Sequence, residues 1–316
     1  MLLIGALALA ALLLGLLTLF GPGPSPRPTT VVAPAGGGVR GVGRALLRAH
    51  VIRSAALFDA AAEATGAGRR LQAGEYAFPA HVSIAKILSI IESGKVVRHS
   101  VTIPEGYTSA AALAVLKAAD SLSGPAVLQP EGTLLPETYE ITRGESRAAV
   151  IARMRSARDA LLARLWASRP PGLPYKSPQD AVILASVVEK ETALASERPR
   201  VAAVFINRLR QGMRLGSDPT VIYGLTGGAP LGHGLTVSEL ASTSPYNTYH
   251  VAGLPPGPID NPGRASLAAA LQPAHTSDLY FVADGTGGHA FAATLADHNR
   301  NVAHWRQIEH AARKGG

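Results

Sequence analysis

Ser-Pro-Gln-Asp-Ala-Val-Ile-Leu-Ala-Ser-Val-Val-Glu-Lys-Glu-Thr, residues 177–192, places two acidic side chains at the end of an otherwise apolar run. The beginning of this stretch is a helix start. Ser177 is placed to cap, Pro178 occupies the first turn where no N–H is missed, and Asp180 completes an S-x-x-[DE] box. At about 100° per residue, Glu189 and Glu191 point roughly 200° apart, so they cannot act as a pair on one face. Spacings of three, four and seven set Glu191 among Leu184, Val187, Val188, Leu194 and Ala195. Glu189 has Ala185, Ser186, Thr192 and Ala193 at those spacings. Glu191 therefore lies along the apolar stripe, where desolvation favours the protonated form and keeps a proton donor available near neutral pH. A salt bridge to Arg198, Arg200 or Arg208 would account for a carboxylate there equally well.

The 316-residue chain is long enough for a membrane or targeting segment and two modest folded units. Leu2 to Phe20 carries no charge and could cross a hydrocarbon core about 30 Å thick. No Lys or Arg precedes it, and it exceeds the usual length of a signal-peptide apolar region, so an uncleaved anchor is expected over residues 1–22. Cysteine is absent, which excludes disulfides, a thiolate nucleophile and cysteine-ligated metal. The net charge of +8 suits adhesion to an anionic wall or lipid surface. The basic residues are scattered and aromatics are few, which argues against nucleic acid as a partner.

Residues 23–43 are rich in Pro, Gly and Thr and read as a stalk. A helical pattern over 45–64 leads to a strand-like piece at 73–78, an amphipathic helix from Ser83 to Ile91 stopped by Gly94, and a strand from Val96 to Ile103. Together these predict a small α+β unit over 44–104. A connecting segment, 105–145, follows. The second folded part, 146–316, opens on a long amphipathic helix marked by Val150, Ile151, Met154, Leu161, Leu162 and Leu165. It continues with the Ser177 helix and a helix at 201–209, becomes loop-rich, and closes with a hairpin around Asp284-Gly285 and a helix from Thr294 to Lys314. The fold class is α+β throughout.

The loops between Leu215 and Gly263 combine Tyr223, Tyr246 and Tyr249 with Asp218 and Asn247, and they are stiffened by proline. Such loops can line a carbohydrate cleft, with aromatic faces against sugar rings and amide or hydroxyl groups on sugar substituents. The same tyrosines would serve equally as packing residues. His275, His289 and His298 have no metal-ligand spacing, and no phosphate loop or Gly-x-Ser-x-Gly elbow is present. No metal or cofactor is expected.

Ala-Ser-Val-Val-Glu-Lys-Glu-Thr (185–192), Val-Phe-Ile-Asn-Arg-Leu (204–209), Ser-Asp-Pro-Thr-Val-Ile-Tyr-Gly (217–224), Tyr-Asn-Thr-Tyr (246–249), Gly-Leu-Pro-Pro-Gly-Pro-Ile (253–259), Tyr-Phe-Val-Ala-Asp-Gly-Thr-Gly-Gly-His (280–289) and His-Asn (298–299) resemble the endolytic murein transglycosylases of the MltG or YceG-like type. Glu-Gly-Thr-Leu-Leu-Pro-Glu-Thr-Tyr (131–139) is similar to a further segment of that family. The resemblance implies a membrane anchor, a LysM-like subdomain, and a catalytic domain outside the cytoplasmic membrane whose acid is Glu191. It implies peptidoglycan glycan strands as substrate and peptidoglycan synthases as neighbours. Its reaction is non-hydrolytic cleavage of the MurNAc–GlcNAc β-1,4 bond, leaving 1,6-anhydro ends. Asp218, Tyr223, Tyr246, Asn247, Tyr249 and Glu131 are expected to bind substrate. The competing readings are a hydrolytic muramidase, for which Asp218 or Glu131 would be the second carboxylate, and a non-enzymatic wall-binding or division scaffold.

Overall fold

The computed structural model describes residue 9, residues 13–34 and residues 36–315, and it divides into two compact units. The first comprises residues 1–100, 120–123 and 140–146, the second 101–119, 124–139 and 147–316. Residues 2–8 and 10–12 of the expected span lie outside the described residues; residues 13–20 are helical. Among the described residues no helix is long and apolar enough to cross a membrane.

In the first unit, β1 (Thr29–Ala33) pairs antiparallel with β2 (Gly74–Phe78), Val31 opposite Tyr76. Against this ribbon lie α1 (Gly38–Arg48), α2 (Ala55–Ala64) and α3 (Ile84–Glu92). Leu46, Phe58, Tyr76, Phe78, Ile87 and Ile91 form the buried centre. The Tyr76 hydroxyl donates to the carbonyls of Gln72 (3.0 Å) and Ile91 (3.3 Å), which satisfies the polar end of a buried ring.

Three sequence expectations change here. Residues 23–43 are not a stalk, because Val31, Ala33 and Val42 are buried and the segment supplies β1 and most of α1. The single helix expected over 45–64 is broken. Val51 and Ile52 turn inward, His50 adopts a left-handed backbone (φ 56°), and Ser54 caps a new helix by accepting from Leu57 N–H. The segment 105–145 is structured rather than connecting. It carries α4 (Ser109–Ala118) and β4 (Thr138–Thr142), which pairs with β3 (Arg98–Thr102), and it buries Leu116, Leu134, Leu135 and Ile141.

The second unit is built around α6 (Pro178–Glu191), reached from α5 (Arg147–Ala167). The capping box forms as the sequence predicts, with Ser177 and Asp180 capping each other's backbone. Residues 181–188 are all buried, so α6 is enclosed on every side rather than on one stripe. One face packs with Val201, Phe205 and Ile206 of α7 (Arg198–Arg210), together with Leu215 and Ile259. Another packs with Leu135, Leu161, Leu162, and Leu267 and Leu271 of α10 (Arg264–Leu271). Between α7 and α10 come α8 (Asp218–Thr226) and the short α9 (Val237–Leu240). The chain ends with the antiparallel hairpin β5 (Tyr280–Ala283) and β6 (His289–Ala292), then α11 (Leu295–Gly315).

Ser186 is the polar exception inside α6. Its hydroxyl donates to the Ile183 carbonyl (2.7 Å) and accepts the Ile259 N–H (3.0 Å), joining the proline-rich loop to the helix. Ser186→Ala strands that buried N–H, so a loss of about 1–3 kcal/mol is expected in urea denaturation, whereas a loss under a few tenths would mean that the loop finds another acceptor.

Candidate active site

Glu191 is the last residue of α6, and the chain leaves the helix at Thr192 in an extended conformation (φ −142°, ψ 131°). The carboxyl is enclosed yet keeps an edge on a cleft of about 190 Å³ lined by Phe205, Arg208, Leu215, Gly216, Asp218, Tyr249 and Phe281. Burial pushes its pKa to about 7. Asp218 adds to the rise, while Ser217, His289 and Arg208 oppose it. At neutral pH the group is therefore distributed between acid and carboxylate, and can chemically either donate or accept a proton.

The Ser217 hydroxyl donates to Glu191 Oε1 at 2.5 Å. Ser217 is the N-cap of α8, but its hydroxyl caps no N–H of that helix because it is directed to Glu191 instead. Its own N–H donates to Thr248 Oγ1 (3.0 Å), and the hydroxyls of Thr248 and Thr220 lie 2.8 Å apart. Ser217, Thr220 and Thr248 are all buried, so one oxygen of Glu191 is held by a fixed polar network and the other is left for the cleft.

The arginines that could have neutralised Glu191 are engaged elsewhere. Arg198 lies 3.1 Å from Glu189, Arg200 lies 2.6 Å from Asp278, and Arg208 donates to the carbonyls of Leu279 and Leu215. The two glutamates of α6 are thereby separated in function. Glu189 accepts from Arg198 and from Gly263 N–H (2.8 Å), and its side chain is only 4% exposed, so it is a structural ion pair.

Of the residues expected from sequence, Asp218 and Tyr249 join Glu191 in the cleft, with the Tyr249 hydroxyl donating to Asp218 Oδ1 at 2.7 Å. Burial and that carboxylate both push the Tyr249 phenol upward. Tyr223 and Tyr246 pack against each other, ring centroids 4.8 Å apart. Neither lines the Glu191 cleft; Tyr223 is pushed up to about 12 by burial and by nearby Glu131. Glu131 accepts Ser109 N–H (2.8 Å) and lies beside Asn261, and burial raises its pKa. Asn247 is fully buried, its amide donating to the Leu240 and Ser242 carbonyls and accepting Tyr249 N–H. It shapes the loop that presents Tyr249 and does not face the cleft.

Sequence reasoning did not select Ser217, Phe281 or the Glu197–His289 contact. Glu197 accepts the backbone N–H of His289 (2.9 Å) and the Thr192 hydroxyl (3.2 Å), and it lies 2.7 Å from His289 Nδ1. This carboxylate ties the residue after Glu191 to β6. Burial works against its charge, but these hydrogen bonds hold it below the ordinary range. Ser217 was within reach of a sequence reading, since it directly precedes Asp218 at a helix start. Among the described residues no cluster of histidine and acidic side chains could hold a metal ion.

Fold and cleft together place one carboxyl of raised pKa, Glu191, at the end of a buried helix with the Asp218 carboxylate in the same cleft. The model of the YceG-like family matches residues 31–304, and the chain belongs to that family. It is 28% identical over 329 aligned residues to an endolytic murein transglycosylase of Streptococcus pneumoniae strain D39, covering 88% of this chain and 58% of that protein. It is 42% identical over 117 residues to an endolytic murein transglycosylase of Bacillus subtilis strain 168, covering 37% of this chain and 32% of that protein. The chain thus spans little more than half the length of the pneumococcal relative. A crystal structure of a yceG-like protein from Listeria monocytogenes matches with a TM-score of 0.54 at 30% identity, covering 87% of this chain and 98% of that one.

Two titrations follow. Ser217 hydrogen-bonds the charged form of Glu191 as well as the neutral one, so Ser217→Ala removes a stabilised carboxylate and moves the Glu191 midpoint above about 7 in a carboxyl-detected NMR titration. A downward shift would show that Ser217 does not hold this group. Asp260 is fully buried, neither carboxyl oxygen has a hydrogen-bond partner, and burial raises its pKa well above the usual value. A raised folded-state pKa means that the folded protein holds the proton longer, so Asp260 lowers stability as pH climbs past its ordinary range. Asp260→Ala is expected to raise Tm, with a larger gain at pH 8 than at pH 5; an equal or smaller gain at pH 8 would contradict this.

Proposed function

We propose that this protein is an endolytic peptidoglycan lytic transglycosylase that cleaves the MurNAc–GlcNAc β-1,4 bond of glycan strands and leaves 1,6-anhydro-MurNAc ends. The observation that carries the reading is the enclosed Glu191 carboxyl, raised to about 7 and held on one oxygen by Ser217. The names of the pneumococcal and Bacillus relatives support the substrate class.

In the proposed reaction, protonated Glu191 gives its proton to the glycosidic oxygen as the bond to muramic acid C1 breaks, releasing the GlcNAc 4-hydroxyl. The resulting carboxylate then takes the proton of the muramic 6-hydroxyl while that oxygen bonds to C1. Glu191 ends as it began and no water is consumed. One acid/base residue is enough because the nucleophile belongs to the substrate, whereas a hydrolase needs a second carboxylate to act as nucleophile or to activate water. Asp218 is the carboxylate in the same cleft, and it receives the Tyr249 hydroxyl, an arrangement suited to positioning sugar substituents. Ser217 holds Glu191 Oε1 so that the proton resides on the oxygen facing the substrate. Glu131, Tyr223 and Tyr246 would bind strand outside this cleft.

The same reading assigns residues 1–22 to a single-pass anchor in the cytoplasmic membrane, with both units on the extracytoplasmic side. It makes the first unit a LysM-like module and places the enzyme beside peptidoglycan synthases, where it would terminate nascent strands. The uncharged run from Leu2 to Phe20 supports the anchor.

Mass spectrometry of products from uncrosslinked glycan strands tests the activity. Anhydro ends, lighter by one water than hydrolysis products, are expected from the unmutated protein, and Glu191→Gln should slow their formation by about 10²–10⁴-fold. Because the acid form is required, kcat/KM should fall along an alkaline limb with a midpoint near 7. Reducing ends would identify a hydrolase, and absence of cleavage by either form would favour a wall-binding scaffold.

A further inference from the structure

Residues 21–28, Gly-Pro-Gly-Pro-Ser-Pro-Arg-Pro, join the N-terminal helical segment to the first unit, and this joint is braced. Four prolines restrict the backbone at alternate positions. Gly21 N–H donates to the Leu17 carbonyl (2.8 Å), Gly23 N–H to the His81 carbonyl (3.1 Å), and His81 N–H to the Ser25 carbonyl (2.7 Å). The Arg53 guanidinium donates to the Pro22 carbonyl at 2.8 Å. A Cβ on Gly21 would lie 2.2 Å from the Leu17 carbonyl oxygen, and one on Gly23 would lie 2.3 Å from that of Val82, so both glycines permit close backbone approach. Leu19 packs against the core of the unit.

Beside this joint lies a pocket whose floor is buried core and whose open edge carries Leu57. Leu17, Ile52, Leu57, Val82 and Ile84 line this pocket of about 150 Å³, with Arg53 on its wall. Leu57 is 46% exposed, and Leu13, Leu14, Leu16, Leu17 and Phe20 on the helical segment are 44–69% exposed. An exposed apolar helix that runs without a flexible spacer to an exposed leucine on the folded unit needs one medium to cover both.

We infer that the face of the first unit around Leu57 and Arg53 is a lipid-contact surface, held in the headgroup layer of the bilayer by the braced 21–28 joint. The inference rests on the anchor reading above and extends it from the span to the folded unit. The headgroup region is roughly 5–8 Å deep on each side of the hydrocarbon. Leu57 lines the same pocket as Leu17 of the helical segment, so a helix emerging at Phe20 brings Leu57 to that depth. Arg53 supplies a cation at the level of lipid phosphates, and Leu57 supplies apolar area beside it.

The absence of cysteine makes the test direct, since a single introduced cysteine carries the only label. The full chain is reconstituted into phosphatidylcholine–phosphatidylglycerol vesicles with an environment-sensitive fluorophore at Leu57→Cys, or at Glu63→Cys as the control. Six residues along α2 place Glu63 about 9 Å farther along the helix axis. The expected result is blue-shifted emission at position 57, with quenching by nitroxide-bearing lipid stronger than at position 63. A flexible Gly-Ser insertion after Gly21 should leave flotation with the vesicles intact and abolish the difference. A chain that floats with both labels equally exposed to water would overturn the lipid-contact surface while leaving the anchor standing. A chain that does not float would overturn both.

Discussion

Withdrawal of the Glu191 carboxyl from water is the constraint around which the second unit is organised. A carboxylate at the end of an enclosed helix is disfavoured by desolvation, and its direct partner is the Ser217 hydroxyl; Arg208 and His289 oppose the rise in pKa from a distance without outweighing burial. That leaves the group near 7, poised between its two forms. The enclosure depends on α6 being packed on all sides, and hence on α7, α10 and Ile259 of the proline-rich loop closing around it.

Two residues away, Glu189 meets the opposite solution. Arg198 and the Gly263 N–H compensate its burial directly, so it fastens α6 to α7 and to the start of α10. Glu197 uses the same device on the other side, anchoring Thr192 to His289. The Glu191 carboxyl is thus flanked by carboxylates that are fully hydrogen-bonded. This arrangement fixes the helix end without supplying charge that would ionise Glu191 outright.

Much of the fold was legible from pattern. The Ser177–Asp180 capping box, the spacing of Ile84, Ile87, Leu88 and Ile91, and the Asp-Gly turn between β5 and β6 are local signals, and each element forms where they put it. The failures share a cause. Residues 29–33 look like linker because a short strand flanked by Pro and Gly has no periodicity to display, and only pairing with β2 gives its backbone partners. The break at His50 is invisible because Val51 and Ile52 continue an apolar pattern while turning into the core from a different backbone direction. Residues 105–145 pass through both units, a path that no window along the chain can reveal.

For the candidate site, the sequence alone determined that Glu191 and Glu189 face apart, that one apolar helix carries both, and that tyrosine-rich loops follow it, since helical geometry and composition are local properties. Tertiary structure decided which glutamate is neutralised, because Arg198 could have reached either and only packing of α7 against α6 directs it to Glu189. It also decided that Asp218 and Tyr249 share the Glu191 cleft while Asn247 turns into its own loop, and that Ser217 caps a carboxyl rather than a helix. The Ser217–Glu191 and Tyr249–Asp218 contacts join residues 26 and 31 positions apart along the chain, and the rest are choices between competing partners or between loop and cleft. Desolvation depends on everything that surrounds a group, which is why the protonation of Glu191 became definite only once the chain had closed around it.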